Sequence, residues 1–588
     1  MAKVYNGQSA KDHASEHKDC VDRGNRLRQK FRKSQEGATT DSKISEGLRE
    51  ELWNSRIETD KNGTYFIPFD KLELARNRRY VEQSLRDDEA SQAEVSEWSK
   101  RICPNHPDKC ENSFIRIFAI LVLCEKPKCI GRFLDQHVDD SYLPLHRVER
   151  KKDRITVVQE YRNCKLSEEK LNSLFQDRRD WRQGNLDNFA TYQWWVLAPF
   201  FGRPDNIIPH YILESSDVLP ITEKKRLSDD EESLDPDVQN VVFRGGFSDV
   251  FIVKLHPSHY NFQNEPYSDS SHWFALKRLK SSSHSDFKLE VDALRKYNYG
   301  INKHLMPLLA TIQKEDEAGK YYLLFPKANG DLRFFWRTQF NMPSDRIGIV
   351  RWMAEQCLGI ANALSMLHKD QDPHKEEDYP IYGRHGDIKA ANILWFSKPG
   401  TKEFSGWRLA LSDFGLMRFH RAVSISAQTA SKIKKTLTYQ APEFDITGAK
   451  ISRKSDIWAL GCTYLEFITC YISGYEAVQE DFPSRRGETD KKFPTFNEDK
   501  FYRTTAGGTS AELKPSVKLW IHELRGNPRC SSYLHDFLTL IERDMLCIEL
   551  DKRRTAIDVA RNLERLSKKC QKDSYLMDKH IPRGKKRQ

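Results

Sequence analysis

The sequence has no apolar run long enough to cross a membrane and no apolar core near its N-terminus. Its longest apolar stretch is FAILVLC, residues 118–124, whereas a transmembrane helix needs about 20 residues. The first residues, MAKVYNGQSAKDHASEHKD, lack the hydrophobic segment of a signal peptide. We therefore expect an intracellular protein without a membrane partner. It is expected in the cytoplasm, and the basic end RGKKRQ (583–588) is either a nuclear address or a solvated tail.

The sequence also has no CxxC pair among its twelve cysteines. The nearest approach to a metal motif is CPNHPDKC, which brings Cys103, His106 and Cys110 together upstream of Cys124 and Cys129. A structural zinc site needs four ligands at tight, paired spacing. Free thiols in a reducing compartment are therefore favoured, with zinc as the weaker alternative.

A strong charge of one sign is absent as well. The 95 basic and 85 acidic residues give a net charge of +10 over 588 residues. An excess this small does not predict nucleic-acid binding. The hydrophobic content of 38% is that of a folded protein. The length exceeds what one hydrophobic core supports, so two or more domains are expected.

Composition and periodicity divide the chain into five parts. These are a polar tail predicted to be disordered (1–40), a mostly helical region (41–215), a charged linker (216–235), a region that changes from strands to helices (236–570) and a basic tail (571–588). In the helical region, Ile44, Leu48 and Leu52 recur every four residues after the candidate caps Asp41 and Ser42. FIRIFAILVLCEK indicates a buried helix or strand, and NFATYQWWVLAPFFG indicates an aromatic core or interface.

The region 236–570 opens with strand patterns and continues with helical ones. VVFRGGFSDVFIVKL, HWFALKRLK and KYYLLFPKANGDL predict strands. IVRWMAEQCLGIANALSMLH predicts a helix with one apolar face, and SDIWALGCTYLEFIT predicts a helix that is buried on all sides.

The stretch YGRHGDIKAANILWF (382–396) concentrates groups that carry chemistry. It contains an acid, Asp387, a lysine, Lys389, and an amide, Asn392. Phosphoryl transfer needs an acceptor for the proton of the attacking hydroxyl, cations near the phosphates and oxygen ligands for a metal. Taken alone, the same stretch is equally compatible with a helix start capped by an aspartate.

Further segments follow the order that this chemistry requires. LSDFGLM supplies a second carboxylate, Asp413, and FALK ends in Lys277 on a predicted strand. FKLEVDALRKY places Glu290 on a predicted helix, where its carboxylate can orient a buried lysine. YQAPEF (439–444), SDIWALGC (455–462) and DKRRTA (551–556) come later in the chain.

With these motifs in place, residues 236–570 resemble the eukaryotic protein kinase family. The pattern D-x-K-x-x-N is similar to that of its serine/threonine branch. The resemblance implies an α+β fold with a small β-rich N-lobe and a larger helical C-lobe, here preceded by a mostly helical N-terminal region. FAIL and QWWVLAP stretches before a GRHGDIK loop are similar to those of kinases from filamentous fungi.

The resemblance implies transfer of the γ-phosphoryl of ATP, with Mg²⁺, to a hydroxyl of a protein substrate. Lys277 would contact the α- and β-phosphates and pair with Glu290. Asp387 would accept the proton and Lys389 would act at the γ-phosphate. Residues implied to hold ATP or Mg²⁺ are Phe243, Gly245, Gly246, Val250, Ala275, Lys277, Leu324, Phe325, Lys327, Asn392 and Asp413, the metal ligands being Asn392 and Asp413.

Three further positions take structural roles from the resemblance. Thr436 would link the activation segment to the catalytic acid and lysine. Glu443 would pair with Arg553, and Asp456 would tie the catalytic loop to the buried helix.

The chain departs from the family pattern in its glycine-rich loop and at Gly386. Of the three glycines of G-x-G-x-x-G-x-V only Gly245 is kept, beside Phe243 and Ser248, so slower ATP handling or a plain hairpin is expected there. Gly386 replaces an arginine that normally meets a phosphorylated activation segment. Activity is therefore expected not to depend on such an arginine–phosphate contact.

Two alternatives remain open. A pseudokinase that binds nucleotide or partners without efficient turnover is the alternative to an active enzyme. The region 41–215 is either a partner-binding or autoinhibitory module or a purely structural extension.

Overall fold

The computed structural model describes residues 47–60, 63–104, 112–145, 147–150, 154–157, 168–177, 179–202, 208–226, 244–245, 248–262, 272–280, 287–288, 291, 302–316, 319–340, 345–368, 384–397, 404–413, 437–449, 451–489 and 497–577. Contacts divide the chain into two units. The first is drawn from Met1–Asp230, Val242–Ser282 and Leu309–Pro326, and the second from Glu231–Val241, Ser283–Leu308 and Lys327–Gln588. In these described ranges, no helix combines the length and apolarity needed to cross a bilayer.

The first unit begins with a group of short helices. Their bounds are α1 Leu48–Asn54, α2 Phe69–Leu72, α3 Arg78–Asp87, α4 Gln92–Ile102, α5 Ile115–Leu123, α6 Ile130–Asp135, α7 Glu168–Leu174 and α8 Gln183–Val196. Helix α4 starts at a capping box in which Ser91 and Glu94 satisfy each other's backbone N–H groups. Helix α1 starts after Gly47, and its buried residues are Leu48 and Leu52, two of the three residues spaced by four. The third, Ile44, and the candidate caps Asp41 and Ser42 lie outside the described residues.

These helices share one apolar core. In α5, which contains FAIL, every residue except Arg116 is buried, so the choice between helix and strand is settled as a helix. The predicted aromatic cluster is also part of this core, because Trp195 of α8 lies 4.5 Å from Tyr192 and 5.6 Å from both Trp53 and Tyr65, between ring centroids. Within its described residues, the region predicted to be mostly helical contains helices α1 to α8.

The first unit also holds the larger sheet. Its strands and those beside it are β1 Ile57–Asp60, β2 Thr64–Phe66, β3 Arg147–Arg150, β4 Arg154–Val157, β5 Phe201–Gly202, β6 His210–Leu213, β7 Ile221–Arg226, β8 Arg244–Gly245, β9 Ser248–Leu255, β10 Tyr260–Asn261, β11 Trp273–Leu279, β12 Ala310–Asp316 and β13 Gly319–Pro326. The seven-stranded sheet has the order β6-β12-β13-β11-β9-β7, with β8 paired to β9. Strand β6 runs parallel to β12, and the other pairs are antiparallel.

The charged linker predicted at 216–235 is corrected by strand β7. Ile221–Arg226 pairs with β9, from Ile221 opposite Leu255 to Arg226 opposite Phe251. Its charged side chains suggest a surface segment, but an edge strand accepts such residues because one of its sides faces solvent. The predicted boundary therefore crosses a strand of the sheet.

The two faces of this sheet have different surroundings. Side chains alternate between faces along a strand, and directly paired residues share a face. Leu324 and Leu276 are paired and lie in a buried cluster, which also contains Phe201, Tyr211 and Ile221 from the segment before residue 230. The buried face thus includes residues of β5, β6 and β7, which precede the predicted kinase region.

A buried histidine fastens helix α2 to the turn between β9 and β10. His259 Nδ1 donates to the carbonyl of Pro199 at 3.0 Å, and its Nε2 accepts from Phe69 N–H at 3.0 Å. Phe69 is the first residue of α2, whose N–H has no partner within the helix. The ring of His259, only 2% exposed, also meets Phe66 edge-on at 5.3 Å.

Replacing His259 with phenylalanine should lower the free energy of unfolding by about 1–3 kcal/mol, because the ring stays while the buried Pro199 carbonyl loses its donor. Chemical denaturation of the full chain measures this. The matched change at exposed His522 should leave stability within about 0.5 kcal/mol of wild type. Equal effects at both positions would contradict the role of His259.

The second unit contains the remaining elements. They are β14 Gly330–Asp331, α9 Leu332–Gln339, α10 Arg346–His368, β15 Ile393–Ser397, β16 Trp407–Leu411, α11 Lys454–Ser473, α12 Phe482–Arg486, β17 Glu488–Thr489, β18 Asn497–Glu498, β19 Tyr502–Thr505, β20 Ser510–Leu513, α13 Pro515–Gly526, α14 Ser532–Leu540, α15 Ala556–Lys569 and α16 Asp573–Met577. Strands β14, β15 and β16 form a three-stranded sheet.

Both long helices match their predicted burial. All residues of α11 from Ser455 to Ile472 are buried. Helix α10 buries the predicted apolar face of Val350, Met353, Cys357, Ala361, Leu364 and Leu367. Together these helices form an apolar core that supports the candidate catalytic residues.

Candidate active site

The three residues of the HGDIKAAN stretch hold one another in the second unit. Asp387 Oδ2 accepts from Lys389 Nζ at 2.7 Å and from Asn392 Nδ2 at 2.9 Å. Asn392 Nδ2 also donates to the Asp387 carbonyl at 2.8 Å. The alternative of a simple helix start is not what the structure shows, because Asp387 bonds side chains and the following helical turn is only the 3₁₀ segment Ala390–Asn392.

A buried carboxylate in helix α11 fixes the loop before Asp387. Asp456 accepts from the backbone N–H groups of His385 and Gly386 at 2.8 and 2.9 Å, and it bonds His368 Nε2 at 2.8 Å. Burial by itself would raise the pKa of Asp456, but the hydrogen bond and charge of His368, with His385 and Gly386, outweigh it and lower that pKa. The predicted tie between Asp456 and the catalytic loop is confirmed.

Pairing of β15 with β16 brings Asn392 and Asp413 to the same end of a hairpin. Ile393, which starts β15, lies opposite Leu411, which ends β16. Ser412 then donates to the Asn392 carbonyl from its N–H at 2.9 Å and from its hydroxyl at 3.0 Å. The carbonyl of Ser412 in turn accepts from His385 Nε2 at 3.0 Å.

The donor set at this hairpin end fits a hard divalent cation. The side-chain Nδ2 of Asn392 donates to Asp387, so the side-chain oxygen Oδ1 of Asn392 is left for a metal. Asp413, with φ of 63°, adds carboxylate oxygens. Among the residues that the structure describes, no group of three or more His, Cys, Asp or Glu could hold a metal alone. Two oxygen ligands supplemented by phosphates and water are the set that Mg²⁺ accepts.

Lys277 lies on the sheet of the first unit, on the face opposite the buried cluster. It pairs with Val250 on one side, and its neighbour Ala275 pairs with Phe325. One face of the sheet therefore carries four residues that are predicted to contact ATP, namely Val250, Ala275, Lys277 and Phe325. The side chain of Leu324 belongs to the buried cluster on the other face, and its contact with ATP stays a prediction.

Several predicted site residues cannot be placed. Phe243, Gly246, Glu290 and Thr436 lie outside the described residues, as do His106 and Cys110 of the weighed zinc motif. Gly245 is in β8, where it pairs with Ser248. Lys327 belongs to the second unit and is partly buried.

Sequence analysis missed three residues that position the site. His368 belongs to no catalytic motif, and Ser412 and His385 lie in the LSDFGLM and HGDIKAAN motifs without a role assigned to them. Each acts through a contact with a residue 20 or more positions away. The order of the motifs around these three residues was the only feature of the sequence that indicated their position near the site.

The predicted ion pair in the second unit is confirmed. Arg553 donates from Nη1 and Nη2 to the two oxygens of Glu443 at 2.9 and 3.0 Å. The side chains are 0% and 4% exposed. Residues 441–443, Ala-Pro-Glu, form the APE segment. The bidentate pair fixes the end of this segment against the loop before α15.

Comparison with known proteins agrees with this geometry. The sequence profile described as "Protein kinase domain" matches residues 266–562, a little more than half of the chain. The chain belongs to the protein kinase family. The protein kinase resemblance stated from the motifs is thereby confirmed, and the two-lobed kinase fold follows from it.

Curated relatives of this kinase include plant proteins. "Receptor-like protein kinase HAIKU2" of Arabidopsis thaliana is 27% identical over 265 residues, which are 42% of this chain and 23% of the relative. "Proline-rich receptor-like protein kinase PERK15" from the same plant is 28% identical over 200 residues, 33% of each chain. "G-type lectin S-receptor-like serine/threonine-protein kinase At1g61480", also from Arabidopsis thaliana, is 29% identical over 237 residues, 40% of this chain and 24% of the relative. The chain thus spans a third or less of these relatives' length.

A buried polar network in the kinase anchors the segment that precedes the APE glutamate. Tyr439 donates to Glu466 of α11 at 2.6 Å, and Thr438 donates to Asp499 at 2.6 Å. Arg486 lies between the two carboxylates, 3.6 Å from Glu466 and 3.7 Å from Asp499. Its Cζ lies 4.1 Å from the ring centroid of Phe482 and 4.3 Å from that of Phe501.

Stability of this kinase should fall as the pH rises from about 5 to 7. Burial raises the pKa of Glu466 to about 7 from its ordinary 4.5, against the lowering effects of Arg486 and Tyr439. Between these values the folded chain binds a proton that the unfolded chain has lost, so raising the pH favours unfolding. Glu466→Gln should flatten this part of the profile, measured as thermal midpoint between pH 5 and pH 8. An unchanged slope in that variant would assign the dependence to another group.

Proposed function

We propose that the protein is a serine/threonine protein kinase that transfers the γ-phosphoryl group of ATP to a hydroxyl group of a protein. The observation that carries this proposal is the arrangement around Asp387, whose carboxylate is held by Lys389 and Asn392 on a loop anchored to Asp456. The sequence pattern D-x-K-x-x-N supports the serine/threonine class.

The roles needed for phosphoryl transfer are distributed over several residues of the chain. Lys389 and Asn392 both donate to Oδ2 of Asp387, and its Oδ1 would accept the proton of the attacking hydroxyl. Lys389 is 21% exposed and can move its charge toward a phosphate. Asn392 and Asp413 would hold Mg²⁺, which neutralises phosphate charge when bound. Lys277 would contact the α- and β-phosphates from the face that it shares with Val250 and Ala275.

The pseudokinase alternative has weaker support. A chain that had lost turnover would have no need to keep the Asp387–Lys389–Asn392 contacts, yet all three are present with hydrogen-bond geometry. The altered glycine loop still leaves slower ATP handling as our expectation.

The finer parts of the proposal rest on sequence and burial. FAIL and QWWVLAP support a likeness to filamentous-fungal kinases. FAIL lies in α5, and QWWVLAP spans the end of α8 and the residues after it, with Trp195 and Val196 in the same core as α5. We infer an intracellular location, cytoplasmic or nuclear, since buried free thiols such as Cys357 and Cys462 are typical of reducing compartments. For residues 41–215 we favour support of the sheet, with partner binding or autoinhibition as further roles to test.

The deciding experiment compares wild type with Asp387→Asn in a γ-labelled ATP assay on a mixture of serine, threonine and tyrosine peptides. We expect label on serine and threonine, and a loss of at least about 100-fold in the variant, since general-base removal has effects of this order. Asp481→Asn, at an exposed aspartate, is the matched control and should match wild type. Equal labelling by Asp387→Asn and wild type would overturn the proposal.

A further inference from the structure

A buried ion pair in the first unit lies beside residues proposed to contact ATP. Asp249, whose side chain is 7% exposed, accepts through Oδ2 from Nη2 of Arg278 at 2.7 Å. Lys280 Nζ lies 3.7 Å from the other oxygen of the same carboxylate. The Cζ of Arg278 also lies 5.2 Å from the ring centroid of Phe251. Because separating a buried pair leaves an uncompensated charge, this pair resists separation of the strands that carry it.

The pair fixes the register between strands β9 and β11. Asp249 of β9 is directly opposite Arg278 of β11, and the next pair along the strands is Val250 opposite Lys277. Successive side chains of a strand alternate between the two faces, so the ion pair lies on one face and Lys277 on the other. A slip by one residue would exchange the faces and separate Asp249 from Arg278. The ion pair therefore opposes any shift of Lys277 along β9.

The same register extends into strand β8, which carries Gly245. Ser248, the first residue of β9, is opposite Gly245 on one side and opposite Leu279 of β11 on the other. Ser248 is buried and takes the place of the last glycine of the G-x-G-x-x-G-x-V pattern. Strands β8 and β11 are thus joined through a residue that is adjacent to Asp249.

We infer that Asp249 and Arg278 are positioning residues for ATP, which hold Gly245 and Lys277 at the separation needed to contact one chain of phosphates. Neither side chain is placed to touch nucleotide, because both lie on the face of the sheet opposite Lys277. The inference rests on the proposed function, since that function assigns ATP contacts to Gly245 and Lys277. It adds an ion pair on the far face that aligns these contacts.

A second ion pair on the same sheet provides a matched control. Glu223 of β7 is directly opposite Lys254 of β9, and Lys254 Nζ donates to Glu223 Oε1 at 2.9 Å. These two side chains are 47% and 35% exposed, and an exposed pair contributes little. Lys254 lies further along β9 than Val250, so this pair does not adjoin the residues proposed to contact phosphate.

The test measures nucleotide binding by the full chain with calorimetry, at a temperature well below the thermal midpoint of each variant. The probes are ATP with Mg²⁺ and adenosine, which has no phosphates. Arg278→Gln should weaken ATP binding about 10-fold and adenosine binding less than about 2-fold, since only the phosphates reach both contacts. Arg278→Lys, which keeps the charge, should retain part of the lost affinity, and Glu223→Gln should match wild type. In steady-state assays, Arg278→Gln should raise the KM for ATP and leave kcat within about 2-fold of wild type.

The outcomes separate a positioning role from a structural one. A pair that only stabilised the sheet would lower the thermal midpoint without distinguishing ATP from adenosine. Unchanged ATP affinity in Arg278→Gln, or an equal loss for both probes, therefore overturns the inference. If Arg278→Gln does not fold, Asp249→Asn is compared in the same way, with the same two results against the inference.

The same measurements keep the two proposals apart. Because binding needs no turnover, ATP affinity that depends on Arg278 without any phosphotransfer would refute only the proposed function. Phosphotransfer by wild type with unchanged ATP affinity in Arg278→Gln would overturn only the inference. Absence of ATP binding by wild type would refute both.

Discussion

Replacing Asp456 with asparagine should lower phosphotransfer by about 100-fold or more and the free energy of unfolding by about 3–5 kcal/mol, the range for breaking a buried charged contact. The carboxylate receives two backbone N–H groups and the His368 ring. An amide of the same size places an NH₂ group against one of these donors, so the loop that carries Asp387 loses its anchor. Misplacement of Asp387 by even a small distance then reduces the rate.

Denaturation and steady-state kinetics of the same preparations measure both effects. Asp481→Asn, the same exchange at an exposed site, controls for loss of one negative charge. The lowered pKa of Asp456 means that its stabilisation is present above its ordinary value of 3.8 and is lost as the pH falls through the lower value of the folded state. The stability difference between wild type and variant should therefore shrink as the pH falls below 3.8. An activity loss without any loss of stability would show that Asp456 does not anchor the loop in the way inferred.

Sequence reasoning located the reactive residues because they are close together in the chain. Asp387, Lys389 and Asn392 lie within six positions, so a short loop is enough to bring them into contact. The order of later motifs then placed Asp413, Glu443 and Arg553 in the same fold. Burial of α11 was also predictable, because an apolar sequence on every side of a helix has no other stable location.

What sequence reasoning missed depends on contacts between distant segments. The contact of His368 with Asp456 joins residues 88 positions apart, and strand β6 pairs with β12 about 100 residues later. In neither case does the sequence around one partner indicate which residue the other partner is. The face on which a strand residue lies depends on distant residues in the same way, since it is decided by register, and shifting by one residue exchanges the faces.

The buried pair of Glu443 and Arg553 should have an equally large effect on stability. Arg553→Met should lower the free energy of unfolding by about 3–5 kcal/mol, because Glu443 is left with an unpaired buried charge. Arg553 also donates to the carbonyls of Cys547 and Lys454 at 2.8 and 3.0 Å, which would lose their partner too. Lys552→Met, at the exposed neighbour, should change stability by less than about 1 kcal/mol.

The variant that removes both charges separates the ion pair from the other bonds of Arg553. With Glu443→Met and Arg553→Met combined, no unpaired carboxylate remains, so the double variant should be more stable than the sum of single effects predicts, by about 1–3 kcal/mol. Denaturant titrations of the four chains give this coupling energy. Strict additivity would mean that the two side chains act independently. At temperatures where each variant is folded, the KM for ATP should match wild type, because the pair fixes the APE segment and not the residues proposed to hold nucleotide.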